Sequence, residues 1–165
     1  MNKGFTIIEA IVAVTVLTVG VLGSYVFISS FFRYTDLSID KLTAAYLSQE
    51  GVEIVKNIRD GNWIKRTTWN YAWNYGLGEG SWEADYNTVS GLSEDYDGDY
   101  LNIEEASGFY GYGSGVSTPF KREIEICTST SGVDGVIYVS STVSWEDRGK
   151  DYSIKTEEKL YNWYE

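Results

Sequence analysis

Residues 3–32 read KGFTIIEAIVAVTVLTVGVLGSYVFISSFF, and this stretch decides the fold of the N-terminal part. From Phe5 to Phe32 the sole charged side chain is Glu9. At about 1.5 Å per helical residue the run would reach about 42 Å, more than the roughly 30 Å of a bilayer's hydrocarbon core. A helix of this length and composition can span a membrane. A carboxylate within such a segment costs about 2.5 to 3.5 kcal/mol near the centre and less near an end, so Glu9 is expected to have a partner that offsets the cost. A glutamate solvated at a helix N-terminus is the alternative reading.

Lys3 precedes the run and Arg33 follows it, so the positive-inside rule alone does not orient the segment. The short leader Met1 to Gly4 leaves the bulk of the chain to be exported, and the remainder is expected to face outward. A secretory signal cut near Val21, Leu22 and Gly23 is the competing reading. Glu9 inside the apolar region and the hydrophobic stretch Tyr25 to Phe32 beyond the cut both oppose it.

Asp36 to Arg59 carries Leu37, Leu42, Ala45, Tyr46, Val52 and Ile58 near helical spacing, with Ile39, Leu47, Ile54 and Val55 widening the stripe. It reads as an amphipathic helix. No proline separates it from the membrane run, so one rod from about residue 5 to 59, roughly 80 Å long, is expected. Gly51 is a candidate bend and Gly61 a candidate end.

Past Asn62 the composition changes: Trp63, Trp69, Tyr71, Trp73, Tyr75 and Trp82 are interleaved with Gly, Asn and Thr, and an acidic Gly- and Ser-containing stretch follows. Loops and short hairpins are expected there. The last third alternates clearly. A strand is expected from about Phe120 to Thr130, a turn over Ser131 to Gly135, a second strand over Val136 to Trp145, a turn at Glu146 to Lys150, and a third strand around Tyr152 to Leu160. The result is an antiparallel meander.

Composition excludes several functions. The chain has 24 Asp and Glu against 13 Lys and Arg, no His, and a net charge of -11. With no basic cluster, binding to a nucleic-acid backbone is not expected. The absence of His removes the commonest general base and a common metal ligand, so no enzyme activity is expected. A single cysteine, Cys127, cannot form an intramolecular disulfide and reads as a half-buried strand residue.

The segment Lys3-Gly4-Phe5-Thr6-Ile7-Ile8-Glu9 at the head of the apolar run resembles the prepilin cleavage and methylation motif of the type IV pilin and pseudopilin family. The resemblance implies that a membrane-embedded prepilin peptidase cuts between Gly4 and Phe5 and methylates the new amine of Phe5. It further implies that Glu9 pairs with the N-terminal ammonium of a neighbouring subunit, fixing register as the apolar helices bundle through Ile7, Ile8, Ile11, Val12, Val14, Val16, Leu17 and Leu22. The residue types suit that chemistry, since glycine leaves the scissile backbone accessible and Lys3 holds the leader at the cytoplasmic face. A looser resemblance, to minor pilins, covers Tyr46-Leu47-Ser48-Gln49-Glu50-Gly51-Val52-Glu53 and Asn57-Ile58-Arg59-Asp60. Two departures stand out: many members carry a proline in the later apolar helix, whereas Pro119 is the only proline here, and many close a C-terminal loop with a disulfide.

Two weaker patterns lie in the head. Ser93, Asp95, Asp97, Gly98 and Glu104 fall at the first, third, fifth, sixth and twelfth places of an EF-hand loop, with Asp99 between them, which makes calcium a candidate ligand. Ser93 stands where an Asp is wanted, and a solvated acidic loop is the simpler reading. Trp63, Trp69, Trp73 and Trp82 could form a stacking platform for a glycan or other surface ligand, although packing in a core or subunit interface accounts for them more simply.

The expectation is an α+β chain: leader 1–4, membrane and filament-core helix 5–32, amphipathic helix 33–61, and a head over 62–165 with an antiparallel sheet packed on the helix. The implied function is a structural subunit of a type IV pilus or related filament. The alternatives are a pseudopilin of a type II secretion-like machine and a filament-borne adhesin. Expected partners are prepilin peptidase, other pilin subunits, the pilus assembly machinery and, before assembly, the membrane. The expected route runs from a single-pass inner or cytoplasmic membrane protein to an extracellular pilus, with no cofactor required.

Overall fold

A computed structural model describes residues 4, 6–69, 72–128 and 135–162, with backbone alone over 66–69. The apolar run folds as helix, because no proline interrupts the backbone ladder and its Val-rich stretch is interspersed with Ala and Leu. Helix α1 spans Ile7–Trp69 and passes through two compact units, Met1–Asp40 and Lys41–Glu165. In the first unit every side chain from Ile7 to Ile28 is exposed.

In the second unit the helix is amphipathic. Ala44, Leu47, Ser48, Val52, Val55, Ile58, Asn62 and Trp63 are buried and recur three or four residues apart, which places them on one face. That face packs on an antiparallel sheet. Its spine is β5 (Val116–Thr128), β6 (Val136–Asp147) and β7 (Lys150–Tyr161), in the order β5-β6-β7. Alternation decides the faces: Phe120, Arg122, Ile124 and Ile126 point inward on β5, and Ile137, Val139, Ser141, Val143 and Trp145 do so on β6. The three antiparallel strands of the meander expected from sequence are present, while the expected turn at 131–135 lies, except for Gly135, outside the described residues. Its β6–β7 turn is a two-residue loop, Arg148 (φ 52°) and Gly149 (φ 77°), closed by the Asp147↔Lys150 pair. Positive φ at both central residues matches the right-handed twist of the flanking strands.

The free edge of β5 is shared. Its C-terminal half pairs with β1 (Gly80–Glu83), which pairs in turn with β2 (Glu94–Asp95). Its N-terminal half pairs with β3 (Tyr100–Ile103), which pairs with β4 (Tyr110–Gly111). The aromatic and acidic region expected as loops and hairpins is therefore woven into the sheet as very short strands.

Two details differ from the sequence reading, and Gly51 gains a role it did not foresee. The helix does not end at Gly61 but continues to Trp69. A helix-interior glycine costs only about 1 kcal/mol, and burial of Asn62 and Trp63 outweighs that. Gly51 lies within the continuous helix and marks a close approach, because a Cβ there would lie 2.3 Å from Ser141 Oγ. Cys127 is exposed rather than half-buried, since its place on β5 puts it on the face away from the helix.

Candidate functional site

The N-terminus of α1 is built by Thr6. Its Oγ1 accepts the backbone N–H of Glu9 at 3.3 Å and its carbonyl accepts the N–H of Ala10 at 3.2 Å, so Thr6 caps the helix. Glu9 consequently sits in the first turn, where the helix dipole favours a negative charge. Its own N–H is satisfied by the cap, and the carboxylate is exposed and makes no hydrogen bond or ion pair among the described residues. Gly4 is exposed, with nothing within 4 Å of where a Cβ would stand. Among the described residues nothing crowds a side chain at position 4. Phe5, the expected new terminus, lies outside the described residues.

Behind this cap the helix is apolar, with an 18-residue window of mean hydropathy 2.3 and none of it buried. Burying one Ile, Leu or Val side chain is worth about 1.5 to 3 kcal/mol, so a bare run of this length is unstable in water unless lipid or other helices cover it. Thr15, Thr18 and Ser24 turn their hydroxyls back onto the carbonyls of Ile11, Val14 and Gly20, which hides their polarity from an apolar surrounding.

The segment Tyr46 to Glu53, which sequence matched to minor pilins by pattern alone, acquires a physical role. It forms a polar belt between two apolar clusters. One cluster gathers Val52, Val55, Ile58, Ile124, Ile137 and Val139, and the other Ala44, Leu47, Leu101, Phe120, Val143 and Trp145. Between them Ser48 Oγ donates to the Ser141 carbonyl at 2.8 Å and bonds Thr156 Oγ1 at 2.7 Å. Arg122, wholly buried on β5, donates from Nη1 to the Leu47 carbonyl at 3.3 Å and from Nη2 to the Ala84 carbonyl at 2.5 Å, and pairs with Glu50 at 3.3 Å. One guanidinium thus ties the helix, β5 and the chain after β1 together. Tyr112 donates to the Arg122 carbonyl at 3.1 Å, and burial pushes its phenol pKa far up.

The twelve-place calcium loop is not assembled as an EF-hand. Asp95 lies in β2, the segment runs between strands instead of helices, and Glu104 accepts hydrogen bonds from Tyr86 and Ser107 beyond β3. Ser93 lines an open depression with Glu83, Asp85 and Asp99. The carboxylates that do converge, within 4.8 Å, are Asp97, Asp99 and Glu83. Glu83 was missed because it comes from β1, outside the loop pattern. It is buried, and one of its oxygens accepts the N–H groups of Gly98 (3.1 Å) and Asp99 (3.0 Å). Burial raises its pKa above the ordinary carboxylate value despite those bonds.

Three tryptophans of the expected platform can be placed. Trp63 is 8% exposed, with the Arg59 guanidinium 4.6 Å over its ring, and Trp73 and Trp82 are half-buried against the first cluster. The side chain of Trp69 lies outside those described.

Among known families, a model described as the prokaryotic N-terminal methylation motif matches residues 1–25. The match covers the N-terminal motif, which stands ahead of one long apolar helix and an antiparallel sheet. The motif supports a protein of the type IV pilin and pseudopilin family, which is structural and not typically enzymatic. No curated protein and no solved structure matches the chain.

Proposed function

We propose that this chain is a filament subunit of the type IV pilus kind, processed by prepilin peptidase between Gly4 and Phe5 and assembled through its N-terminal helix. The observation that carries the reading is the helix from Ile7 to Ile28, exposed at every side chain and bearing one charge, Glu9, in its first turn. Such a surface is stable in only two settings, lipid and a bundle of like helices, and moving from one to the other is what filament assembly requires. Glu9 is then the register carboxylate. In an apolar bundle an unpaired carboxylate is costly, and the ammonium of a neighbour's Phe5 offsets that cost at one axial offset only. Before assembly the chain is a single-pass membrane protein, and after it part of an extracellular pilus.

Co-expression of Glu9→Leu with the wild-type chain tests this reading. The variant is expected to be cleaved and to stay in the membrane, while its share of sheared filaments falls well below wild type. Equal incorporation of both chains would remove Glu9 from the assembly account. A secretion pseudopilin would share the cleavage yet leave no extended surface filament, and immunolabelling of intact cells separates the two.

A further inference from the structure

The head contains a cavity of about 200 Å³ that the filament function does not use. It opens between the loop after β1, which supplies Asp85, Tyr86 and Asn87, and the β3–β4 hairpin with its exit, which supplies Asn102, Glu104 and Phe109. Gly111 allows the two loops to close together, since a Cβ there would stand 2.9 Å from Asp85 Oδ2. The walls are fixed by hydrogen bonds. Asp85 accepts from the Asn87 N–H at 2.9 Å, the Tyr112 N–H at 3.4 Å and Thr88 Oγ1 at 3.5 Å. Tyr86 Oη donates to Glu104 at 3.1 Å, and Ser107 donates to the same carboxylate oxygen.

Two exposed aromatic rings flank this polar floor. Tyr86 and Phe109 are 38% and 57% exposed, with centroids 5.1 Å apart and planes tilted by 51°. Partly exposed rings beside planar amides and carboxylates suit a ligand with one apolar face and a rim of groups that both donate and accept. A pyranose ring has that character, with C–H groups on its face and hydroxyls around its edge. The amide of Asn102 gives a hydrogen to the Gly113 carbonyl at 2.9 Å, which leaves its oxygen to accept. The carboxylates are already engaged by donors of the chain, so they act as hydrogen-bond acceptors more than as bare charges in need of a cation. No Lys or Arg lines the cavity, which disfavours anionic ligands.

We propose that the cavity between the β1–β2 loop and the β3–β4 hairpin is a subsite for a single neutral saccharide ring, held by the Tyr86–Phe109 pair and by Asn87, Asn102 and Glu104. This is independent of the filament reading and of the tryptophans. The ring rests against the aromatic faces while its hydroxyls bond the amides and Glu104. One ring has few atoms, so a millimolar dissociation constant is expected, and avidity along a filament would strengthen it.

The test is saturation-transfer NMR on the full chain in phosphocholine micelles, which carry no sugar headgroup. Glucose, galactose and N-acetylglucosamine serve as neutral probes and N-acetylneuraminic acid as the anionic one. At least one neutral sugar is expected to receive saturation and to shift the ring resonances of Tyr86 and Phe109, while the anionic sugar does neither. Phe109→Ala, at an exposed position, should weaken binding by about tenfold. Asn87→Ala should weaken it too, with the far-UV spectrum unchanged. The proposal is overturned if no neutral sugar moves those resonances, if binding survives Phe109→Ala undiminished, or if the anionic sugar binds equally well.

Discussion

Gly51 and Ser141 meet where α1 crosses β6, and the fit is tight enough to be measured. Gly51→Ala places a Cβ 2.3 Å from Ser141 Oγ and 3.0 Å from its Cβ. A net loss of about 1 to 3 kcal/mol is expected from overpacking, even after the helix-propensity gain of roughly 1 kcal/mol. Ser141 Oγ is buried and has no hydrogen-bond partner among the described residues, so Ser141→Ala alone should be neutral or stabilising. Combined with Gly51→Ala it should recover much of the loss, which a double-mutant cycle in urea reads directly. Independent, additive effects would contradict the contact.

Glu83 makes a second prediction at the same scale. Its folded-state pKa is raised, chiefly by burial, so its stabilising contribution is fully present below the unfolded carboxylate pKa and is lost as pH rises through the folded value. In Glu83→Gln one oxygen still accepts from Gly98 and Asp99, and nothing ionises. The variant's melting temperature relative to wild type is expected to climb as pH rises above the ordinary carboxylate value of about 4. A difference that stays flat as pH rises would show that Glu83 is not under strain. Glu83 was not legible beforehand, because a site residue donated by a distant strand leaves no mark on the local spacing that suggested an EF-hand.

Among the elements, what was legible followed from length. The meander could be read because strands of this length alternate several times between a buried and an exposed face, as Ile124, Glu125, Ile126 and Cys127 do. Strands of two to four residues, such as Glu94–Asp95 and Tyr110–Gly111, alternate too few times to stand out from loop. The helix end was misplaced for a related reason: Gly61 is a local stop signal, whereas the buried Asn62 just past it is held by the Trp73 and Tyr75 carbonyls, which lie beyond the helix. The polar belt is the element-scale device that sequence pattern hinted at without explaining. Arg122→Ala leaves the carbonyls of Leu47 and Ala84 without their donor and opens a cavity, so a loss of about 3 to 5 kcal/mol is expected in denaturant titration of the full chain. A change below about 1 kcal/mol, the worth of an exposed pair, would show that the belt does not hold helix to sheet.

For the whole molecule, charge and apolarity are separated along the chain. The first unit contains a helix whose side chains from Ile7 to Ile28 are all exposed, whereas the second holds the buried apolar clusters and most of the chain's acidic residues. The apolar N-terminal helix was the most legible part, since its length and its single charge are local properties, whereas the cap that Thr6 supplies was not read beforehand. The head was least legible in its loops, where the cavity beside Tyr86 and Phe109 depends on two segments brought together by the sheet. The central claim is that this N-terminus is processed and then packed into a filament. Intact-mass and N-terminal peptide analysis of the chain from sheared surface filaments and from membranes tests it most directly. The account predicts an N-methylated Phe5 in the filament fraction; a terminus at Met1 or Ser24, with no filament pool, would contradict it.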